Sequence, residues 1–339
     1  MDPITHGLAS YVLKRAAFPR VAKSGTLVIL FAGCAADLDL LSACFGPSAY
    51  LDWYRTYTHS LLAAVVIAMI ASSPILLFGR KPDEKRSSAL VIFGAALSAA
   101  ILHLLLDACQ SAGVELLWPF SIRRFALDWA AHLDMWILGI LLAGILLPLL
   151  SGLVTEEIGA RSKSPRGKVG ATLTLVALAL YLLGRANMHG SAVAALEARL
   201  VRGETPRRVA AYPVSSSPFL WQGLIETESA LHEVQLEVGP WADADLGPPV
   251  STFKPEASAA LDAARNSRTG QRFLSSARFP KATIEKTPEG FRVTLRDFQL
   301  ISAADSEWGV EARISTDAAA RIHSAELAWD EKPKTAWWK

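Results

Sequence analysis

Five long apolar runs fill the first 186 residues of this chain, and acids and histidines are set inside them. The runs cover roughly 24–44, 60–79, 88–109, 133–154 and 168–186. Each is long enough to cross ~30 Å of hydrocarbon at ~1.5 Å per helical residue. Asp37 and Asp39 occupy the second half of the first run. His59 opens the second, His103 and Asp107 close the third, and Asp134 opens the fourth. An ionised side chain at bilayer depth costs roughly several kcal/mol unless it is paired or ligated. These residues therefore need a partner, and their position is a functional signal.

The rest of the chain is different in kind. With 51% hydrophobic residues and a mean hydropathy of +0.28 over 339 residues, the average hides two halves. Residues 1–186 read as a mainly α membrane bundle of about five spans, preceded by a short helix over about 3–16 that re-enters the membrane. Asp2-Pro3 supplies that helix with an N-cap and a proline at its first position. Residues 187–339 read as a small α+β soluble domain. There, alternating runs (208–214, 219–227, 231–238, 282–286, 291–301, 309–314 and 322–329) predict an antiparallel sheet. Stretches 190–202, 257–266 and 268–277 predict helices. The net charge of +2 and the lack of a basic stripe exclude a nucleic-acid binder. Cys34, Cys44 and Cys109 all lie in the apolar half, so a disulfide framework is excluded from the C-terminal domain. Asp2 and His6 interrupt the N-terminal segment, which does not read as a cleavable signal peptide.

Loop charges predict orientation. Lys14, Arg15, Arg20 and Lys23 precede the first run. Arg80, Lys81, Lys85 and Arg86 follow the second, and Arg161, Lys163, Arg166 and Lys168 follow the fourth. The positive-inside rule puts these loops in the cytoplasm. Loops 45–59 and 110–132 and the C-terminal domain then lie outside a bacterial cytoplasmic membrane. Most of the buried polar residues collect toward that outer face.

Three imidazoles and three carboxylates, from His6, Asp37, Asp39, His59, His103 and Asp107, suit a divalent metal, zinc first and manganese as the alternative. His103 and Asp107 share a helix face at i, i+4. Asp37 and Asp39 diverge by ~200° on an ideal α-helix and both face inward only where it ends or distorts. Thr58 or Ser60 can orient His59. A carboxylate free of ligation, Asp39 or Asp134, can act as general base. Arg123 and Arg124 in an outer loop can hold a phosphate or anchor to headgroups. His232 and His323 read as solvated strand positions.

The start Met1-Asp2-Pro3-Ile4-Thr5-His6 resembles the opening of a bacterial inner-membrane family of metal-dependent hydrolases that includes the LexA-regulated membrane protein. The likeness continues through Ala36-Asp37-Leu38-Asp39, Tyr57-Thr58-His59-Ser60, His103-Leu104-Leu105-Leu106-Asp107, Leu117-Trp118-Pro119-Phe120-Ser121 and Asp134, over about residues 1–185. The resemblance implies a helical membrane domain with a metal centre and hydrolytic activity, distantly similar to zinc-dependent phospholipase C. The expected substrate is a lipid or small-molecule phosphoester at the outer face. The rival expectations are a non-enzymatic membrane adaptor and a transporter of metal or protons.

Overall fold

The computed structural model describes residues 1–78, 88–157, 167–239, 244–298 and 309–330. Arg80, Lys81, Lys85, Arg86, Arg161, Lys163 and Arg166 lie outside the described residues. So does the end of the strand expected over 291–301.

The chain divides into two compact units. One comprises Met1–Leu40, Tyr54–His189 and Ser215–Pro218; the other comprises Leu41–Trp53, Gly190–Val214 and Phe219–Lys339. In the first unit, α1 (Pro3–Ala17) starts as the sequence predicts. Asp2 caps it through the Thr5 amide at 2.9 Å, and Pro3 fills the first position. The expected first span is two elements, α2 (Lys23–Cys34) and an unusually long 3-10 helix (Ala35–Phe45). Then come α3 (Pro47–Trp53), α4 (Leu61–Phe78), α5 (Ala89–Ala108), α6 (Met135–Glu157) and α7 (Lys168–Glu197).

Among the described residues, three helical stretches are long and apolar enough to cross a membrane: Lys23–Phe45, Ala89–Ala108 and Lys168–Glu197. The apolar parts of α4 and α6, Leu61–Ile75 and Met135–Leu150, are shorter. A separate helix over 190–202 is not formed. The last span, expected to end at 186, continues instead, and α7 runs on to Glu197 because Ala192 and Leu196 continue a buried stripe.

Close approach of helices positions the site. Gly33 of α2 lies where a Cβ would fall 1.9 Å from Ser10 Oγ of α1, with Ala99 of α5 on the other side at 3.6 Å. The missing side chain lets three helices meet at one level.

The second unit holds two antiparallel sheets where the sequence predicts one. A five-stranded sheet runs β1 (Arg208–Pro213), β2 (Leu220–Glu226), β3 (Ala230–Glu237), β4 (Asp245–Leu246), with β5 (Val250–Phe253) also paired to β3. Strands β4 and β5 escaped the sequence reading because they are too short to show alternation. Helices α8 (Ala259–Asn266) and α9 (Arg268–Leu274) follow, each capped by a serine, Ser258 and Ser267. A four-stranded meander, β6 (Pro280–Thr287), β7 (Gly290–Asp297), β8 (Val310–Asp317) and β9 (Ile322–Trp329), completes the unit. Its inward Val293, Leu295, Ala312 and Ile314 pack on Leu261, Ala264 and Phe273.

Helix α3 belongs to this second unit. Its Tyr50 ring lies 5.4 Å from that of Trp329 on β9, and Asp52 pairs with Arg272 of α9 through Nε at 2.8 Å. The expectation that His232 is solvated is overturned. It is buried, with Nδ1 2.8 Å from Ser251 Oγ and Nε2 3.2 Å from Thr227 Oγ1, and β5, paired along the edge of β3, sets Ser251 directly opposite it.

Candidate metal centre

One ligand atom each from His6, Asp37, His103 and Asp107 lies within 4.8 Å of the others. The elements that bring them are α1, the 3-10 helix and α5. His59, just before α4, joins them with Nε2 3.0 Å from Asp107 Oδ2 and 3.2 Å from His103 Nε2. His6 Nε2 is 3.2 Å from Asp107 Oδ1, and its ring stacks on that of His103 at 3.7 Å. His103 Nε2 is 3.3 Å from Asp107 Oδ2 and 3.7 Å from Asp37 Oδ1. Asp107 is thus the hub, and every member is buried except Asp37, whose side chain is 14% exposed.

The hydrogen bonds behind the rings fix which nitrogens face inward. His103 Nδ1 lies 2.8 Å from the Gly33 carbonyl oxygen, which can only accept, so Nδ1 carries the proton. His59 Nδ1 lies 2.9 Å from the Asp39 carboxylate, with the same result. Both Nε2 atoms then face Asp107 and sit 3.2 Å apart. When both rings are neutral, the two Nε2 lone pairs converge on one point, where a cation would relieve their repulsion. Zinc with nitrogen ligands at ~2.0–2.1 Å in a tetrahedron sets its ligand atoms about 3.3–3.4 Å apart. The observed 3.0–3.7 Å spacings match that size.

Charge points the same way. Asp37, Asp39 and Asp107 outnumber the cationic groups beside them, the Arg55 guanidinium and the Met1 amino group, so the site favours a further cation. The Met1 amino nitrogen also lies against Asp107 Oδ1, and 2.9 Å from Gln110 Oε1.

The structure sorts the sequence candidates. His6, Asp37, His59, His103 and Asp107 converge. Asp39 stands behind His59: its Oδ2 accepts from His59 Nδ1, from Thr58 Oγ1 at 3.0 Å and from the Arg55 amide at 2.7 Å. Its Oδ2 orients the His59 ring, while its Oδ1 makes no hydrogen bond among the described residues. The 3-10 winding separates Asp37 from Asp39 by ~240° instead of ~200°, so one faces the cluster and the other the His59 loop. Asp134 is not at the site. It caps α6 through the Trp136 and Ile137 amides at 3.0 and 3.1 Å and accepts from Tyr181 of α7 at 3.1 Å. A carboxylate opening a helix carries that signal in sequence too. Arg123 is exposed, its guanidinium 5.6 Å from the Phe125 ring. Arg124 is committed to Glu115, the Tyr54 carbonyl and Thr56.

Two residues escaped the sequence reading as site members, Arg55 and Gln110. Arg55 Nη2 lies 3.3 Å from Asp107 Oδ1 and 2.6 Å from Gln110 Oε1. The sequence signal for Arg55 is its place four residues before His59, beside the Thr58-His59-Ser60 cluster.

Residues 1–191 match the family model described as YdjM inner membrane protein. The chain belongs to the YdjM inner membrane protein family. The match covers the helical unit and all converging residues. The Uncharacterized protein YvsG of Bacillus subtilis (strain 168) is 39% identical over 70 residues, 21% of this chain and 36% of that protein. The match thus spans about a third of that relative. No solved structure matches the chain. YdjM membership makes this an inner-membrane protein with a helical N-terminal region; its β-sheet unit lies almost wholly beyond the family match.

Proposed function

We propose that the chain is a multi-pass inner-membrane hydrolase that uses one divalent metal, zinc first and manganese as the alternative, to cleave a phosphoester at the outer face. The observation that carries this reading is the convergence of His59 Nε2 and His103 Nε2, 3.2 Å apart over the Asp107 carboxylate. A bound metal would polarise the scissile ester and lower the pKa of a water.

The chain's own residues supply the rest. His6, His59, His103 and Asp107 hold the centre. The Gly33 carbonyl and Asp39 keep two of the rings turned inward, the usual role of groups behind a metal-bound histidine. Asp37 is the one partly exposed carboxylate, and its Oδ2 makes no hydrogen bond among the described residues. It stands where a general base must stand, at the wet edge of the cluster, in place of Asp39 and Asp134.

The outer placement rests on loop charge and on α3. Because α3 packs in the same unit as the C-terminal sheets, it shares a side of the membrane with them. An even number of crossings must then separate it from that unit. Helices α5 and α7 give two, so α4 and α6 either both cross or both do not. Five spans satisfy this condition, and the basic loops put that side outside.

The test is metal analysis of detergent-purified protein, followed by hydrolysis of phospholipids and soluble phosphodiesters with and without chelator. Stoichiometric metal and chelator-sensitive turnover support the reading. Metal-loaded protein that turns over none of these, but moves metal or protons in proteoliposomes, replaces it with a transporter.

A further inference from the structure

Arg55 combines a buried charge with a strained backbone. Its side chain is buried, with only 1% of the residue exposed, and its backbone takes φ +60°, a left-handed conformation that non-glycine residues adopt at a cost. The surroundings hold it there. Its amide donates to Asp39, and Arg124 braces the turn by donating to the Tyr54 carbonyl and Thr56 Oγ1, both at 3.3 Å. Gln110 fixes the far end: its amide nitrogen donates to the carbonyls of Ala131 and His132, which forces its oxygen toward Arg55. After all this, Arg55 Nε and Nη1 make no hydrogen bond among the described residues, and the guanidinium lies 5.4 Å from the centre of the Tyr54 ring.

A dry guanidinium normally uses all its donors, because each orphaned one forfeits a hydrogen bond. Arg55 spends one nitrogen on Asp107 and Gln110 and holds two more in reserve beside the metal ligands. Its planar fork suits two oxygens of a tetrahedral anion. We infer that Arg55 is the residue that grips the phosphoryl oxygens of the substrate, so the centre takes a tetrahedral oxyanion in direct contact with this guanidinium. Arg123 and Arg124, which the sequence suggested for that role, do not perform it. Arg124 spends its donors on the protein, and Arg123 lies on the surface. This inference rests on the phosphoester reading and names its anion-binding group.

The test uses full-length protein in detergent, loaded with cobalt so that the visible spectrum reports on the centre. Inorganic phosphate and orthovanadate are titrated into wild type, Arg55→Lys, Arg55→Gln and Arg123→Ala. Arg55→Lys keeps the charge and removes the fork, so it remains informative if Arg55→Gln fails to fold. Wild type and Arg123→Ala should bind alike, while both Arg55 variants should keep their cobalt and bind the anions ~10- to 100-fold more weakly. Unchanged anion binding in metal-loaded Arg55 variants overturns the inference. Loss of cobalt from both variants also overturns it, since Arg55 would then serve only as a counter-ion to Asp107. Wild type that holds cobalt but binds neither anion sinks the phosphoester reading itself, a distinct failure. Repeating the titration with short-chain phosphatidic acid identifies the source: tighter binding than inorganic phosphate assigns a lipid headgroup, equal binding a soluble phosphoester.

Discussion

Asp39→Asn separates a carboxylate that binds metal from one that steers a ligand. The substitution preserves shape and removes the charge. Asparagine oxygen can still accept from the Arg55 amide and Thr58, so the loop should hold. What changes is His59, whose Nδ1 proton now meets a neutral amide instead of a carboxylate at 2.9 Å. A less polarised imidazole is a poorer donor through Nε2. Losing such a partner behind a metal-bound histidine typically costs ~10- to 100-fold in affinity, about 1.4–2.7 kcal/mol. Asp107→Asn, at the hub of all three rings, should instead abolish tight binding. Competition against a chromophoric chelator in detergent measures both. Asp39→Asn that binds metal like wild type, or that loses it as completely as Asp107→Asn, refutes the placement of Asp39 behind His59.

Four further outcomes follow from the same geometry. Asp134→Ala removes a helix cap and the acceptor for Tyr181, and should cost about 2–4 kcal/mol of stability with metal content unchanged; thermal unfolding and metal analysis read the two effects separately. Gly33→Val, which touches no ligand, should still lower metal occupancy. Its Cβ would fall 1.9 Å from Ser10 Oγ and 2.9 Å from Ser10 Cβ, displacing α1 with His6, so full occupancy would contradict the packing. Burial holds the His232 imidazole below its usual pKa. The unfolded chain therefore binds the extra proton below about pH 6.5, and stability should fall as pH drops through that value. His232→Gln should flatten the pH dependence of melting, and an unchanged slope would show that His232 is not its source. A C-terminal alkaline phosphatase fusion should be active and a fluorescent-protein fusion dark; the reverse would overturn the outer placement of the sheets.

The legible part of the site was the part written in helix periodicity. His103 and Asp107 at i, i+4 had to share a face, and acids inside an apolar run had to find partners. Asp2-Pro3 announced the start of α1. What stayed hidden depends on contacts between distant segments. Nothing local tells that Asp39 faces away from the cluster, because that follows from a change of helical winding at Ala35. Asp134 looked like a site residue because it is an acid beside a span, yet capping α6 and holding Tyr181 explain it fully. Arg55 was hidden because its conformation is imposed by Asp39, Gln110 and Arg124 from three other segments. In the second unit, alternation revealed the long strands. The setting of His232 depends on β5, four residues long, whose Ser251 lies opposite it.

The membership of α3 in the sheet-containing unit has a consequence for biogenesis. Residues 47–53 leave the ribosome early, but their partners Arg272 and Trp329 are synthesised more than two hundred residues later. The packing of α3 must therefore wait until the last meander has been made and folded. A truncation that keeps the helices and discards the sheets leaves α3 without the partners that complete its packing.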